Sequence, residues 1–270
     1  MKTALSAFAT FTFALFAAVA CDADENGKSR LETSPRHHEW VAIKAGDRTV
    51  HAYLAFPEVA GKAAAVVVIH ENRGLTDWVR GVADQLAAAG YIAIAPDLLS
   101  GTAPGGGKTS DYPSEDAARE GIYKLPPDQV LTDLDAVADY VAALPAASGK
   151  VAVAGFCWGG AATFRFADHR GGKLAAAYPF YGTGPDAPEG VDGIAAPVYG
   201  FYGGNDERVN ATIPKTTELM KAAGKTFEPV IYEGAGHGFM RSGEAPDGPP
   251  ADREARTKAW ERWRELLKKL

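Results

Sequence analysis

The chain is poor in cysteine: Cys21 and Cys157 are the only two among 270 residues. That excludes a disulfide framework and a cysteine-based zinc cluster, and the absence of any C-x-x-C excludes a thioredoxin-like redox motif. Basic charge is also short. Lysine and arginine number 28 against 34 aspartate and glutamate, a formal net charge of −6, which is the wrong sign for a nucleic-acid footprint. No internal repeat is present, no linker separates two cores, and no three or four side chains cluster as zinc ligands would. What remains is an ordinary globular composition, 46% hydrophobic and 23% charged, long enough for one domain to bury a sizeable core without staples.

Met1 to Ala20 reads as an export signal. Lys2 is its single charge, the apolar stretch from Ala4 to Ala20 is broken only by Ser6, Thr10 and Thr12, and it ends in the small-x-small sequence Ala18-Val19-Ala20. The stretch is short and threonine-diluted for a membrane span. Cys21 stands where a bacterial lipoprotein carries its lipidated cysteine, so cleavage after Ala20 and lipidation of Cys21 both remain open. Either way the expected location is outside the cytosol, in the periplasm or on a membrane through a lipid anchor. Residues 21–38 are polar with no apolar period and are expected to form a flexible tether. The folded domain is expected over residues 39–270, as a monomer.

Within that domain, strands and helices alternate. Glu39 to Ile43 and Thr49 to Phe56 read as strands joined by a turn at Gly46-Asp47. Ala64 to His70 is a continuous apolar, β-branched run, as a central parallel strand requires. Trp78, Val82 and Leu86 recur at helical spacing and Gly90 ends that helix. Tyr91 to Ala95 is a strand closed by Pro96, and residues 100–113 are a loop. Val130, Leu134, Val137 and Val141 mark another helix. Val151 to Ala154, Leu174 to Phe180, Pro197 to Tyr202 and Phe227 to Tyr232 are further strands. Helices follow from Ala161, from Ile213 and, on the stripe Ala259, Trp263, Leu266 and Leu270, at the end of the chain. This is an α/β pattern: a mostly parallel sheet with helices on both faces.

Gly155-Phe156-Cys157-Trp158-Gly159-Gly160 follows a buried strand and opens a helix. It has the G-x-nucleophile-x-G form of a nucleophile elbow, in which the glycines admit two backbones passing too close for a Cβ. Cysteine there is a soft nucleophile, active as the thiolate. An elbow needs an acid and then a histidine later in the chain. Asp206 follows the strand ending at Gly203-Gly204, and His237 lies in the glycine-rich loop after the last strand, so Asp206 can orient a ring whose other nitrogen faces Cys157. His37 and His38 lie on the tether side, His51 in an early strand and His169 at a helix end. His70 precedes the elbow and breaks the order. All five read as structural or solvent-facing.

The elbow, together with His70-Glu71-Asn72-Arg73-Gly74-Leu75, Pro96-Asp97-Leu98, Asp206 and His237-Gly238-Phe239, resembles the dienelactone hydrolases (carboxymethylenebutenolidases) of the α/β-hydrolase superfamily over about residues 39–268. The resemblance implies an α/β-hydrolase fold and a Cys157, Asp206 and His237 triad. It implies a Glu71 that contacts the resting thiol and helps to ionise it when substrate arrives. It implies an oxyanion hole from the backbone N–H groups of Trp158 and Asn72, and substrate-carboxylate binding by Arg119, Tyr123 and Arg241. No cofactor and no metal are implied; the partner is a small ester or lactone. The chain departs from the family pattern at Gly238, where serine is frequent, at Arg73, where the family has an apolar residue, and at Pro126, where it has an aromatic. The pocket is therefore not that of the chlorocatechol-pathway enzyme. The leading expectation is a cysteine hydrolase for carboxylated esters or lactones. The alternatives are a periplasmic esterase for neutral envelope- or polymer-derived esters and a membrane-tethered binding protein with a degenerate hydrolase fold.

Overall fold

The computed structural model describes residues 27–270; the export signal read at Met1 to Ala20 and the lipidation candidate Cys21 lie outside the described residues. Eight strands form one sheet: β1 (His38–Ala45), β2 (Arg48–Ala55), β3 (Ala63–Ile69), β4 (Ile92–Asp97), β5 (Ala147–Phe156), β6 (Ala176–Phe180), β7 (Val198–Gly203) and β8 (Phe227–Tyr232). Their order is β1-β2-β4-β3-β5-β6-β7-β8. β1 and β2 pair antiparallel, β2 runs antiparallel to β4, and the remaining neighbours are parallel. The helices are α1 (residues 27–33), α2 (Asp77–Ala88), α3 (Glu115–Lys124), α4 (Pro127–Ala142), α5 (Trp158–Arg170), α6 (Glu207–Asn210), α7 (Ile213–Ala222), α8 (Phe239–Ser242) and α9 (Pro250–Leu267). The expected mostly parallel sheet, covered on both faces, is what forms.

β3 shows why an unbroken apolar run is needed at the centre. Val66 and Val68 face α2 and α9, where Trp78, Leu86 and Trp263 pack. Ala65, Val67 and Ile69 face α4 and α5, against Leu134, Val137 and Phe166. With both faces covered there is no polar side to alternate with. The first face is dominated by aromatics: Phe180 stacks on Phe201 at 4.2 Å between ring centres, and Trp263 meets Phe180 edge-on at 4.9 Å. α2 ends as its sequence signals. Gly90 takes φ +100°, its N–H bonds Ala87 and the N–H of Tyr91 bonds Leu86, the pairing of a Schellman cap.

Three expectations need correction. β4 does not stop before Pro96 but runs to Asp97. Pro96 opposes Ala52 of β2, while the pairing with β3 covers only Ile92 to Ile94, so the missing proline N–H falls where the ladder on the β3 side has already ended. Helical periodicity assigns nothing to residues 115–124, yet α3 forms there. Only Ala118 and Ile122 are buried on it, too few for an apolar stripe, and its signal is the Ser114 side chain accepting from the N–H of Ala117, with Glu115 and Asp116 in the first turn.

The third correction concerns the tether. Residues 27–33 are helical, and a Cβ on Gly27 would lie 2.6 Å from the backbone of Asp77, so α1 sits directly on the start of α2. The next residues are pinned by Asp84, which is fully buried in α2. Its Oδ1 accepts from Ser34 Oγ at 2.6 Å, and Arg36 donates to both carboxylate oxygens, at 2.8 and 2.7 Å. The ring of His38 completes the set at 2.9 Å. Burial alone would drive the Asp84 carboxyl up, but these three partners outweigh it and hold it below the ordinary range. A polar composition had suggested a loose chain; long-range polar contacts anchor it.

Candidate active site

The elbow is built by close approach. A Cβ on Gly155 would lie 2.1 Å from the carbonyl oxygen of Gly159, and one on Gly159 would lie 2.5 Å from the carbonyls of Ile69 and His70. Only glycine allows the first turn of α5 to abut both β5 and the end of β3, which carries the loop of Glu71 and Asn72 to the nucleophile. Cys157 itself takes φ 56°, ψ −114°, a conformation costly for any residue with a Cβ. Its N–H donates to Phe180 at 3.0 Å. Trp158 opens α5, where backbone N–H groups have no helical partner.

The later loops bring the acid and the histidine. His237 Nε2 lies 3.1 Å from Cys157 Sγ, and Nδ1 lies 2.5 Å from Asp206 Oδ2. Asp206 is buried and caps α6 through the N–H of Val209. Burial works against charge on the His237 ring. The hydrogen bonds to Asp206 and Cys157, and the negative charge of both, outweigh it and push its pKa from 6.5 up to about 10. A folded-state pKa above the unfolded value means stabilisation that is complete below about pH 6.5 and lost as the pH rises through about 10. The thermal midpoint is therefore expected to fall across that window, and Asp206→Asn should flatten the fall; a wild-type midpoint unchanged from pH 6.5 to 10 would contradict this pairing.

Three supporting residues carried no recognisable sequence signal. Asn205 donates its N–H to Ala235 at 2.9 Å and its side-chain amide to Gly234 at 2.9 Å, tying the acid loop to the histidine loop. Asp252 of α9 accepts from the N–H of Gly236 at 2.7 Å and from Ser242 Oγ at 2.5 Å, fastening the histidine loop and α8 to the final helix. Tyr181, after β6, is fully buried, donates to Glu71 Oε1 at 3.3 Å and meets the His237 ring edge-on at 5.2 Å.

Glu71 and Arg241 stand differently from expectation. Arg241 Nε donates to Glu71 Oε2 at 2.8 Å, with both side chains nearly buried. Glu71 is thus held by Arg241 and Tyr181, and the thiol pairs with His237; the expected contact between Glu71 and the resting thiol is not the arrangement seen. Arg241 is likewise turned to Glu71, so its expected substrate-binding guanidinium is already engaged. Arg119 pairs with Asp116 at 2.9 Å on the exposed side of α3. Tyr123 is 64% exposed, and its hydroxyl accepts from Asn72 Nδ2 at 3.2 Å, so α3 does reach the loop after β3. His70 is fully buried and bridges two strand ends: the Leu98 N–H donates to Nε2 at 3.3 Å, leaving Nδ1 to donate to the Glu71 carbonyl at 2.7 Å. Burial holds its pKa below the usual value, and its ring stacks on Trp158. Among the described residues, no three His, Cys, Asp or Glu side chains are grouped so as to hold a metal ion.

The sequence model of the dienelactone hydrolase family matches residues 50–270. A protein of Methylorubrum extorquens named "Putative carboxymethylenebutenolidase" is 33% identical over 210 residues, covering 74% of this chain and 71% of its own. One of the same name from Yersinia pestis is 32% identical over 244 residues, covering 86% and 88%. Among solved structures, a "Putative Dienelactone Hydrolase" from Klebsiella pneumoniae superposes with a TM-score of 0.76 at 27% identity, over 87% of this chain and 99% of that one. A Pyrobaculum calidifontis esterase, at 17% identity and a TM-score of 0.62, covers 93% and 92% and shares the fold.

Proposed function

Because the chain belongs to the dienelactone hydrolase family, and is a carboxylic-ester hydrolase of the α/β-hydrolase fold, we propose that it cleaves small esters or lactones through a thioester on Cys157. The observation that carries this reading is the unbroken line Cys157 Sγ, His237, Asp206 at the strained elbow. With its pKa near 10, His237 is protonated at neutral pH and donates to the carboxylate on one side and to the sulfur on the other. A cysteine nucleophile reacts as its thiolate. The thiolate attacks the ester carbonyl, and the N–H groups of Trp158 and Asn72 receive the developing oxyanion. As the C–O bond breaks, His237 Nε2 gives its proton to the departing oxygen. The neutral ring then takes a proton from water, whose oxygen attacks the thioester, and the thiolate leaves.

The test is to trap the intermediate. Mixing the protein with p-nitrophenyl acetate and quenching in acid should leave one acetyl group on the Cys157 peptide by mass spectrometry. Hydrolysis without any acyl group on that peptide would overturn the thioester route. We propose, on the export signal read in the first twenty residues, that the reaction takes place in the periplasm or at a membrane surface, and cell fractionation tests that separately.

Two substrate readings stand, and the ion pairs weigh between them. A substrate carboxylate can displace Asp116 from Arg119, because an exposed pair of this kind is worth under about 1 kcal/mol. It cannot easily take Arg241 from a buried Glu71. Binding of a carboxylated substrate thus rests on Arg119 and Tyr123 alone, and the engaged state of Arg241 favours the second reading, a neutral ester. If Arg119 binds carboxylate, Arg119→Ala should raise KM for a carboxylated ester about 10- to 150-fold relative to its methyl-ester analogue, the loss of roughly 1.5–3 kcal/mol for a hydrogen bond to a charged group. An unchanged ratio between the two esters would leave the neutral-ester reading in place.

A further inference from the structure

α1 begins at the same end of the molecule as the reactive sulfur. A site at the carboxyl ends of parallel strands has the first turns of the following helices beside it, and α2 opens at Asp77, shortly after Glu71 and Asn72. α1 lies along α2 in the same direction. Gly27 packs on the backbone of Asp77 and Trp78, whereas Ser34, just past the end of α1, reaches Asp84 further along α2. The first residue of α1, not its last, therefore stands at the site end. Two short chains of contact join it to the nucleophile. The Trp78 ring meets Phe156 edge-on at 5.1 Å, and Phe156 immediately precedes Cys157. Arg30 pairs with Glu244 at 2.9 Å, shortly beyond the Arg241 that binds Glu71.

We propose that an acylated Cys21 holds the mouth of the site against a bilayer, and that the substrates are neutral, amphiphilic esters or lactones whose hydrocarbon chain lies in that bilayer. The proposal rests on the cysteine-hydrolase reading above and on the lipidation reading of Cys21. Cys21 is six residues before Gly27. Whatever path those residues take, they span at most about 20 Å, under half the roughly 45 Å diameter of a domain of this size. The anchor can reach the rim of the site and cannot reach the opposite end of the sheet. The rim suits such a surface. Tyr123 is 64% exposed there, with its hydroxyl on Asn72, and a tyrosine with an apolar body and a wet tip is at home in a membrane interface. The carboxylates of α3 beside it are all paired: Glu115 with Arg73 at 3.0 Å, Asp116 with Arg119 at 2.9 Å and Glu120 with Lys124 at 3.4 Å. Three acids are matched by three bases, so this part of the rim has no net charge to set against a zwitterionic lipid surface. Arg241, already engaged by Glu71, fits the same neutral substrate class.

Orientation and activity are read separately, on protein purified from membranes and returned to phosphatidylcholine vesicles. In the acylated chain Cys157 is the one free thiol. It takes a maleimide fluorophore, and energy transfer to a rhodamine-labelled lipid headgroup reports its distance from the surface. The control is Lys62→Cys in a Cys157→Ala background, labelled just before β3 at the opposite end of the sheet. Transfer should be stronger from Cys157; equal transfer, or stronger transfer from position 62, would overturn the proposal. For activity, the mature Cys21→Ser protein, cut after Ala20 and unacylated, should hydrolyse p-nitrophenyl acetate in water at the wild-type rate. It should hydrolyse p-nitrophenyl dodecanoate dissolved in the vesicles about tenfold more slowly than wild type or worse, because the anchor acts by raising effective concentration. Equal rates on the embedded ester, or a wild type that cleaves the acetate and not the dodecanoate, would remove the substrate class. An unmodified Cys21 in mass spectrometry of the native N-terminus would end the proposal outright. A wild type that cleaves neither ester strikes the hydrolase reading instead, and the order of energy transfer still decides the orientation.

Discussion

Cys157→Ala is expected to cut kcat for ester hydrolysis by about three orders of magnitude or more while leaving the far-ultraviolet circular dichroism of the protein unchanged. Loss of a triad nucleophile has that scale because His237 and the oxyanion donors are left with only water to direct. The fold should not suffer, since Cys157 lies at the half-buried floor of the site and its backbone hydrogen bond to Phe180 is kept. Heat should separate two inactive variants. At φ 56°, ψ −114° alanine carries the same strain as cysteine, whereas glycine enters this region freely. Cys157→Gly should therefore melt higher than Cys157→Ala, by the equivalent of about 1 kcal/mol. Turnover near the wild-type rate in Cys157→Ala, measured on purified protein, would remove the cysteine from the mechanism.

Arg241→Met is expected to be the most damaging single change to stability near the site. Glu71 and Arg241 have side-chain exposures of only 9% and 11%, and Tyr181 alone would remain to solvate the carboxylate. Breaking a buried pair by removing one partner costs about 3–5 kcal/mol. In a domain of this size that lowers the melting temperature by roughly 6–20 °C. Glu71→Gln/Arg241→Met should recover most of the loss at neutral pH, because two apolar or neutral groups leave no orphaned charge. Differential scanning calorimetry of the two variants beside wild type checks this, and equal melting temperatures for Arg241→Met and wild type would mean the pair contributes nothing.

The contrast between these two predictions tracks what a sequence can reveal. The elbow was legible because its requirement is local: Gly155 and Gly159 leave room that no other residue leaves, and the strand and helix beside them have plain periodicities. Asp206 and His237 were legible from chain order and from glycines at strand ends. The pairing of Glu71 was not. Whether its carboxylate meets Cys157 or Arg241 is decided by side-chain torsions and by competition among charges contributed 170 residues apart. The same holds for Asp84, whose three partners lie about fifty residues earlier, and so the anchoring of residues 34–38 was hidden behind a composition that suggested a tether. α3 was missed for a different reason, since a helix that buries two side chains leaves almost no periodic trace.

The brace between Asp252 and Gly236 sets an order of events in the life of the chain. Nucleophile, acid and histidine all precede α9 in the chain, so a ribosome makes all three before it makes the helix that fastens the histidine loop. A nascent or partly folded chain can therefore hold a finished elbow, with β3, β5 and α5 already packed, and still lack a fixed histidine. Docking of α9, through Trp260, Trp263 and Leu267 on the first face of the sheet, is the step that closes the relay, so the competence of the site is a report on completed folding.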